Sequence, residues 1–245
     1  MGKRIVVASA VLFFLGAVSH AGMMDDIGNL LKGGKVPGIS GAVADDAQVV
    51  SGLKEALSIG TANAVADTSK VDGYFANQAI RILVPEKVRK VADVLGKVGY
   101  QKEVDEFVLS MNRAAEKAAP RAKTYFVDAI REMTFEDARK ILGGGDTAAT
   151  EYFRGKTQKK LYDEFRPAVS ASMDNVGVTR SYKEMVGKYS ALPLVGKPES
   201  VDLDHHVTTK ALDGLFYMLG QEEKKIRTDP AARVTDLLKT VFGRR

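Results

Sequence analysis

Residues 85–118 read PEKVRKVADVLGKVGYQKEVDEFVLSMNRAAEKA. Within them Val88, Val91, Ala92, Leu95 and Val98 stand at offsets of 0, 3, 4, 7 and 10, and Val104, Phe107, Val108, Met111 and Ala115 repeat the pattern. That spacing gathers the apolar side chains on one face of an α-helix and leaves the charged residues on the other. Pro85 suits a first helical position, where a missing N–H costs nothing, and Gly99 ends the first of the two helices. Two successive helices, each with one apolar stripe, must bury those stripes against further elements.

Working outward, the chain supplies those elements. Upstream, Val49, Leu53, Ala56 and Leu57 mark a helix from just after Asp46 to roughly Ala66. Val71-Asp72-Gly73-Tyr74-Phe75 carries turn chemistry, and we read the apolar stretch Ile80, Ile82, Leu83, Val84 as helix-loop in preference to a strand. Downstream, Tyr125, Phe126, Ala129, Ile130 and Met133 resume the helical pattern beyond Pro120, which should kink or divide a long helix. Thr134-Phe135-Glu136-Asp137 resembles a capping box, opening a helix through Leu142 that Gly143-Gly144-Gly145 stops. Asp146 is placed to cap the next helix, whose row Ala149, Phe153, Thr157, Leu161, Phe165 runs until Pro167. Val178, Tyr182, Met185, Val186 and Tyr189 form another face, Leu192 to Ser200 a connection, and Val207, Ala211, Leu212, Leu215, Phe216 and Leu219 a further helix. A last helix opens at Asp229 and Pro230 and carries Val234, Leu237, Leu238, Val241 and Phe242. About eight amphipathic helices with no alternating strand describe an all-α, compact multi-helix bundle. No motif recurs at the period of a helical solenoid.

The N-terminus reads differently. Lys3 and Arg4, the uncharged run Ile5 to Val18 and the small-x-small end Ser19-His20-Ala21 have the form of a secretory signal peptide. The run is too short to span a bilayer, which takes roughly 20 residues, so cleavage after Ala21 and a periplasmic or secreted location are expected. Residues 22–44, rich in Gly, form a flexible lead in which Met23, Met24, Leu30, Leu31, Val36 and Ile39 suit docking on a partner or a bilayer face, at most a peripheral membrane contact. Residues 45–243 then make one helical domain. No cysteine occurs, so disulfides, thiol nucleophiles and thiolate metal sites are excluded. The formal charge is +5, two units of it from Lys3 and Arg4, and the signs are interleaved; no nucleic-acid partner is expected.

Five blocks carry a resemblance: Met111 to Glu116 (MNRAAE), Met133 to Ala138 (MTFEDA), Asp146 to Phe153 (DTAATEYF), Val207 to Phe216 (VTTKALDGLF) and Glu222 to Arg227 (EEKKIR). In order and spread from about Val50 to Gly243, they resemble the bacterial exported family called domain of unknown function 4197. The resemblance implies a helical, secreted or periplasmic protein, usually of Gram-negative bacteria. It implies no activity and no site residues.

The polar residues that stand out are Asn112, Arg113 and Glu116, with Thr134, Asp146, Thr147 and Thr150 at two helix starts. Asn112 and Glu116 share a helix face, and Arg113 can pair with Glu116. If that face met the helix start after the three glycines, backbone N–H groups and a guanidinium would converge on a small anion; the bland alternative is that these groups tie helices together. Asp146, itself an anion at a helix start, opposes such binding. Asp202, Asp204, His205 and His206 cluster in sequence, but adjacent histidines diverge on a helix and a third ligand is missing, so Asp204 reads as a cap, the histidines as exposed, and no metal is expected. Glu222-Glu223-Lys224-Lys225 reads as a solvated, ion-paired surface. With no nucleophile-base set, phosphate loop or dinucleotide fingerprint, neither catalytic residues nor a cofactor are expected. The reading is a non-catalytic module binding an envelope protein or small ligand. A hydrolase or transferase built around Arg113, Glu116 and Asp146, or an envelope scaffold, is the alternative.

Overall fold

The structure, a computed structural model, describes residues 40–193 and 195–232. The leader, the lead as far as Ile39 and the apolar face Val234 to Phe242 lie outside the described residues. Among the described residues eight α-helices follow one another: α1 Ser40–Ser69, α2 Glu86–Lys97, α3 Gln101–Ala118, α4 Ala122–Glu132, α5 Phe135–Gly143, α6 Ala148–Val176, α7 Val178–Ser190 and α8 Leu203–Thr228. No strand occurs among the described residues. The fold is all-α, as the spacing of apolar residues requires, and no helix among the described residues is long and apolar enough to cross a membrane.

The longest apolar row makes the spine. Ala149, Phe153, Thr157, Leu161 and Phe165 are buried along α6, which packs on α8, α3, α4 and α5. The row does not stop at Pro167: α6 contains that proline and continues to bury Val169 and Met173. A proline inside a helix costs about 3 kcal/mol, and each large apolar side chain taken out of water returns roughly 1.5–3 kcal/mol, so two more buried residues offset the break. Phe126 of α4 meets Phe153 of α6 at 5.5 Å and Phe216 of α8 at 6.0 Å, both edge-on, and this aromatic group fixes three helices around one point. Pro120 acts as expected, since a 3₁₀ turn over Ala119–Arg121 separates α3 from α4. Gly177 links α6 to α7 with φ of 78°, a left-handed turn that a Cβ would strain.

The α1–α2 connection, residues 70–85, is neither helix nor strand. Turns carry it to Ile80, and residues 81–85 have no regular secondary structure. Ile80 and Ile82 are buried, so the apolar run marks a segment strapped across the bundle. Its start is pinned by Tyr74, which is fully buried and whose hydroxyl donates to the Ala211 carbonyl at 2.6 Å. Gly214 on α8 makes this approach geometrically feasible: a Cβ there would lie 2.7 Å from the Tyr74 ring.

Candidate functional site

The polar face of α3 is directed at this strap. Asn112 is wholly buried; its Oδ1 accepts from the Ile82 N–H at 2.9 Å and its Nδ2 donates to the Ile82 carbonyl at 2.8 Å. One side-chain amide thus takes both main-chain groups of Ile82, the role a paired strand would have. Glu116, also buried, accepts from the N–H groups of Tyr74 (3.1 Å) and Phe75 (3.2 Å) through Oε1, and from Arg113 Nη1 through Oε2 at 2.7 Å. Arg113 Nη2 donates to Asp72 Oδ1 at 2.7 Å. Burial works against the Arg113 charge, but its bonds to Glu116 and Asp72 outweigh this and hold its pKa above the ordinary value. Burial, then the neighbouring Glu116 charge, push the Tyr74 hydroxyl well above its usual range.

At the start of α6 the anion is the chain's own. Asp146 is exposed and does not cap; Thr147 holds the N-cap position without a side-chain bond. Instead Glu223 reaches across from α8. Its Oε1 accepts from Ala149 N–H at 2.8 Å, and its Oε2 from Thr150 N–H at 2.8 Å and Thr150 Oγ1 at 2.9 Å. Arg227 donates to Glu223 Oε1 from Nε and Nη2, and from Nη2 to the Ile141 carbonyl in the last turn of α5. The quartet 222–225 is only in part the solvated, ion-paired surface its composition suggests: Lys224 and Lys225 are exposed and Lys225 pairs with Glu222, but Glu222 and Glu223 are buried, and Glu222 Oε2 accepts from Asn63 Nδ2 of α1 at 2.8 Å. A buried carboxylate at a helix N-terminus is favoured by the free N–H groups and the helix dipole. Thr134 and Asp137 complete the expected capping box at α5, and the Thr134 hydroxyl and N–H hold the Asp137 carboxyl below its ordinary pKa.

The seven polar candidates are thus distributed. Asn112, Arg113 and Glu116 hold the strap, Thr150 joins Glu223, Thr134 caps α5, and Asp146 and Thr147 lie exposed at a turn. Helix α8 is opened by Asp202, whose Oδ1 accepts from His205 N–H at 2.9 Å; Asp204 does not cap it. His205 Nδ1 lies 2.6 Å from the Tyr162 hydroxyl, while His206, half-buried and not exposed, donates from Nε2 to the Leu83 carbonyl at 3.0 Å. Burial lowers the His206 pKa.

What the strap creates is a groove that reading the sequence did not reveal. It lies between residues 79–89 and the first half of α8 and encloses about 810 Å³, and none of the seven candidates lines it. One wall carries Ile80, Leu83, Val84 and Pro85, the other Val201, Thr209 and Tyr217. Leu83 is 59% exposed and Tyr217 44%, unusual for large apolar side chains facing a shared groove. Each groove carboxylate has a basic partner: Glu86 pairs with Arg89, Asp202 with Arg166, and Asp213 with Arg154 and Lys210. Arg81 and Lys87 have no carboxylate partner among the described residues. The Arg81 guanidinium lies over the Phe75 ring at 4.2 Å, and its Nε, like Thr209 Oγ1, is buried without a hydrogen bond.

An all-helical domain in which buried carboxylates bond backbone N–H groups across helices, with an amphipathic groove between the strap and α8, is the class that fold and geometry define. The comparison of sequences narrows it: the family model described as protein of unknown function DUF4197 matches residues 43–243, and the chain belongs to that family. No curated protein and no solved structure matches the chain.

Proposed function

We propose that the chain is an exported, non-catalytic binding module whose ligand occupies the groove between the strap and α8. The observation that carries this reading is the pairing of exposed Leu83 and Tyr217 with two buried, unpartnered polar atoms, Arg81 Nε and Thr209 Oγ1, on residues that line one groove. Buried polar groups are nearly always hydrogen-bonded, so two such atoms on groove-lining residues suit a partner that arrives with a ligand. About 810 Å³ also falls within the usual range for small-molecule sites. Asn112, Arg113 and Glu116 then serve as positioning residues, one layer behind the groove, because they fix the strap that forms its wall.

Thermal melting of the purified protein against a panel of envelope metabolites and lipids tests this. A ligand held at about 100 times its Kd adds roughly 2.7 kcal/mol to stability. Leu83→Glu, at an exposed position, should leave the unliganded melting temperature nearly unchanged and remove the ligand's effect. Ligands that stabilise Leu83→Glu as well as the parent chain, or that are turned over, speak against the reading. For export, mass spectrometry of the envelope fraction should find a mature protein beginning at Gly22.

A further inference from the structure

We propose that this groove binds a fatty acid: a single-chain amphiphile whose carboxylate pairs with Arg81 and whose alkyl chain lies along Leu83, Val84 and Tyr217. The inference rests on the groove being the binding site and adds the chemistry of its ligand. The head assignment follows from the surplus cation. Every carboxylate in the groove already has a basic partner, which leaves Arg81 and Lys87 as charges that an incoming anion would satisfy. Arg81 is held with its face on Phe75, and that stacking occupies no in-plane donor. Its Nε is buried, but Nη1 and Nη2 carry no hydrogen bond among the described residues, and that pair meets a planar carboxylate end-on with two parallel bonds. The Thr209 hydroxyl, likewise without a partner, offers a further donor. Because Phe75 is anchored by its N–H to Glu116, the guanidinium is positioned before the ligand arrives, which reduces the ordering cost of binding.

The tail assignment follows from what the head leaves exposed. Leu83, Val84 and Tyr217 present apolar surface in the same groove, and a polar head group alone would leave it in water. A fatty acid satisfies both halves at once.

Titration calorimetry of the purified protein with decanoate, decanol and decyl phosphate, all below their aggregation limits, tests the assignment without any mutation. Decanoate should bind at least about tenfold more tightly than decanol, as expected for a charge-assisted hydrogen bond. Arg81→Met, which keeps a side chain to pack on Phe75, should weaken decanoate by about tenfold to hundredfold and leave decanol unchanged. Thr209→Val should weaken decanoate by less, and serves if the Arg81 variant does not fold. Equal binding of acid and alcohol, tighter binding of decyl phosphate than of decanoate, or Arg81-dependent sedimentation with phosphatidylglycerol vesicles in place of monomer binding would each overturn the fatty acid assignment. If decanoate fails while another compound stabilises the protein through Leu83, the ligand class is wrong and the binding module stands. If no compound acts through Leu83, both readings fall.

Discussion

Glu116 and Glu223 solve the same problem in two different places. Each is a buried carboxylate that accepts two consecutive backbone N–H groups from another part of the chain, and each is paired with an arginine on its own helix. They differ in what surrounds the arginine. The Arg227 side chain is 6% exposed and bonds an α5 carbonyl, whereas Arg113 is 27% exposed and shares its charge with Asp72 at the surface. The Glu223 pair clamps three helices, α5, α6 and α8; the Glu116 pair ties down one connecting segment. Similar local chemistry therefore supports global stability in one region and local order in the other.

Removing the first carboxylate should produce the largest effect. Glu223→Ala leaves Arg227 buried beside two unsatisfied N–H groups, and breaking a buried pair in this way costs about 3–5 kcal/mol. Urea denaturation should show a midpoint shifted for the whole molecule. A loss below about 1 kcal/mol would mean that water replaces the carboxylate and that the clamp is not structural.

Glu116→Ala sharpens the contrast. Its partner keeps Asp72 and stands nearer to solvent, so the expected cost is about 1–3 kcal/mol, the penalty for stranding buried donors. More telling is where the loss falls: hydrogen exchange should accelerate in residues 72–85 well before the core of α6 responds. Uniform acceleration across all helices would erase the distinction between the two regions.

The difference between these carboxylates also shows what a sequence can disclose. Helices are legible because apolar spacing is local, and α2 and α3 fall where residues 85–118 place them. Arg113 and Glu116 could be paired for the same reason, being three apart on one helix. What Asn112 binds could not be read, since Ile82 lies 30 residues away and joins it only through the folded strap. Glu222-Glu223-Lys224-Lys225 misleads because burial depends on what packs against the helix, and two acidic residues followed by two basic ones look alike on either face. Pro167 misleads in the opposite sense, since the rows on both sides of it outweigh a penalty that local rules treat as decisive. The groove was illegible because its walls meet only in the fold: Leu83 and His206, which touch, stand 123 residues apart.

A carboxylate nearer the surface with the same task provides a third point. Asp137, part-exposed, accepts the Thr134 N–H, and Thr134→Ala should cost about 1 kcal/mol at neutral pH. The folded-state pKa of Asp137 is depressed below 3.8, so its contribution is present above about pH 4 and is lost as pH falls through the lower folded value. The gap between parent and variant should therefore narrow below pH 4 in acid titrations of stability. A gap that is unchanged at pH 2 would assign the effect to the threonine hydroxyl alone.

The smallest effect belongs to Asp72→Asn. Asp72 is half exposed and meets Arg113 in solvent, where an ion pair contributes from nothing to about 1 kcal/mol and is screened by salt. Asparagine keeps an oxygen that can accept from Arg113 Nη2, and it tolerates the left-handed backbone that Asp72 adopts with φ of 67°. The substitution therefore removes charge with little change of shape. Stability should fall by less than about 1 kcal/mol at low salt and by nothing measurable at high salt. If the loss instead matches that of Glu116→Ala and persists in salt, Arg113 depends on its outer partner as much as on its buried one, and the strap is held by a three-membered network in place of a single inner clamp.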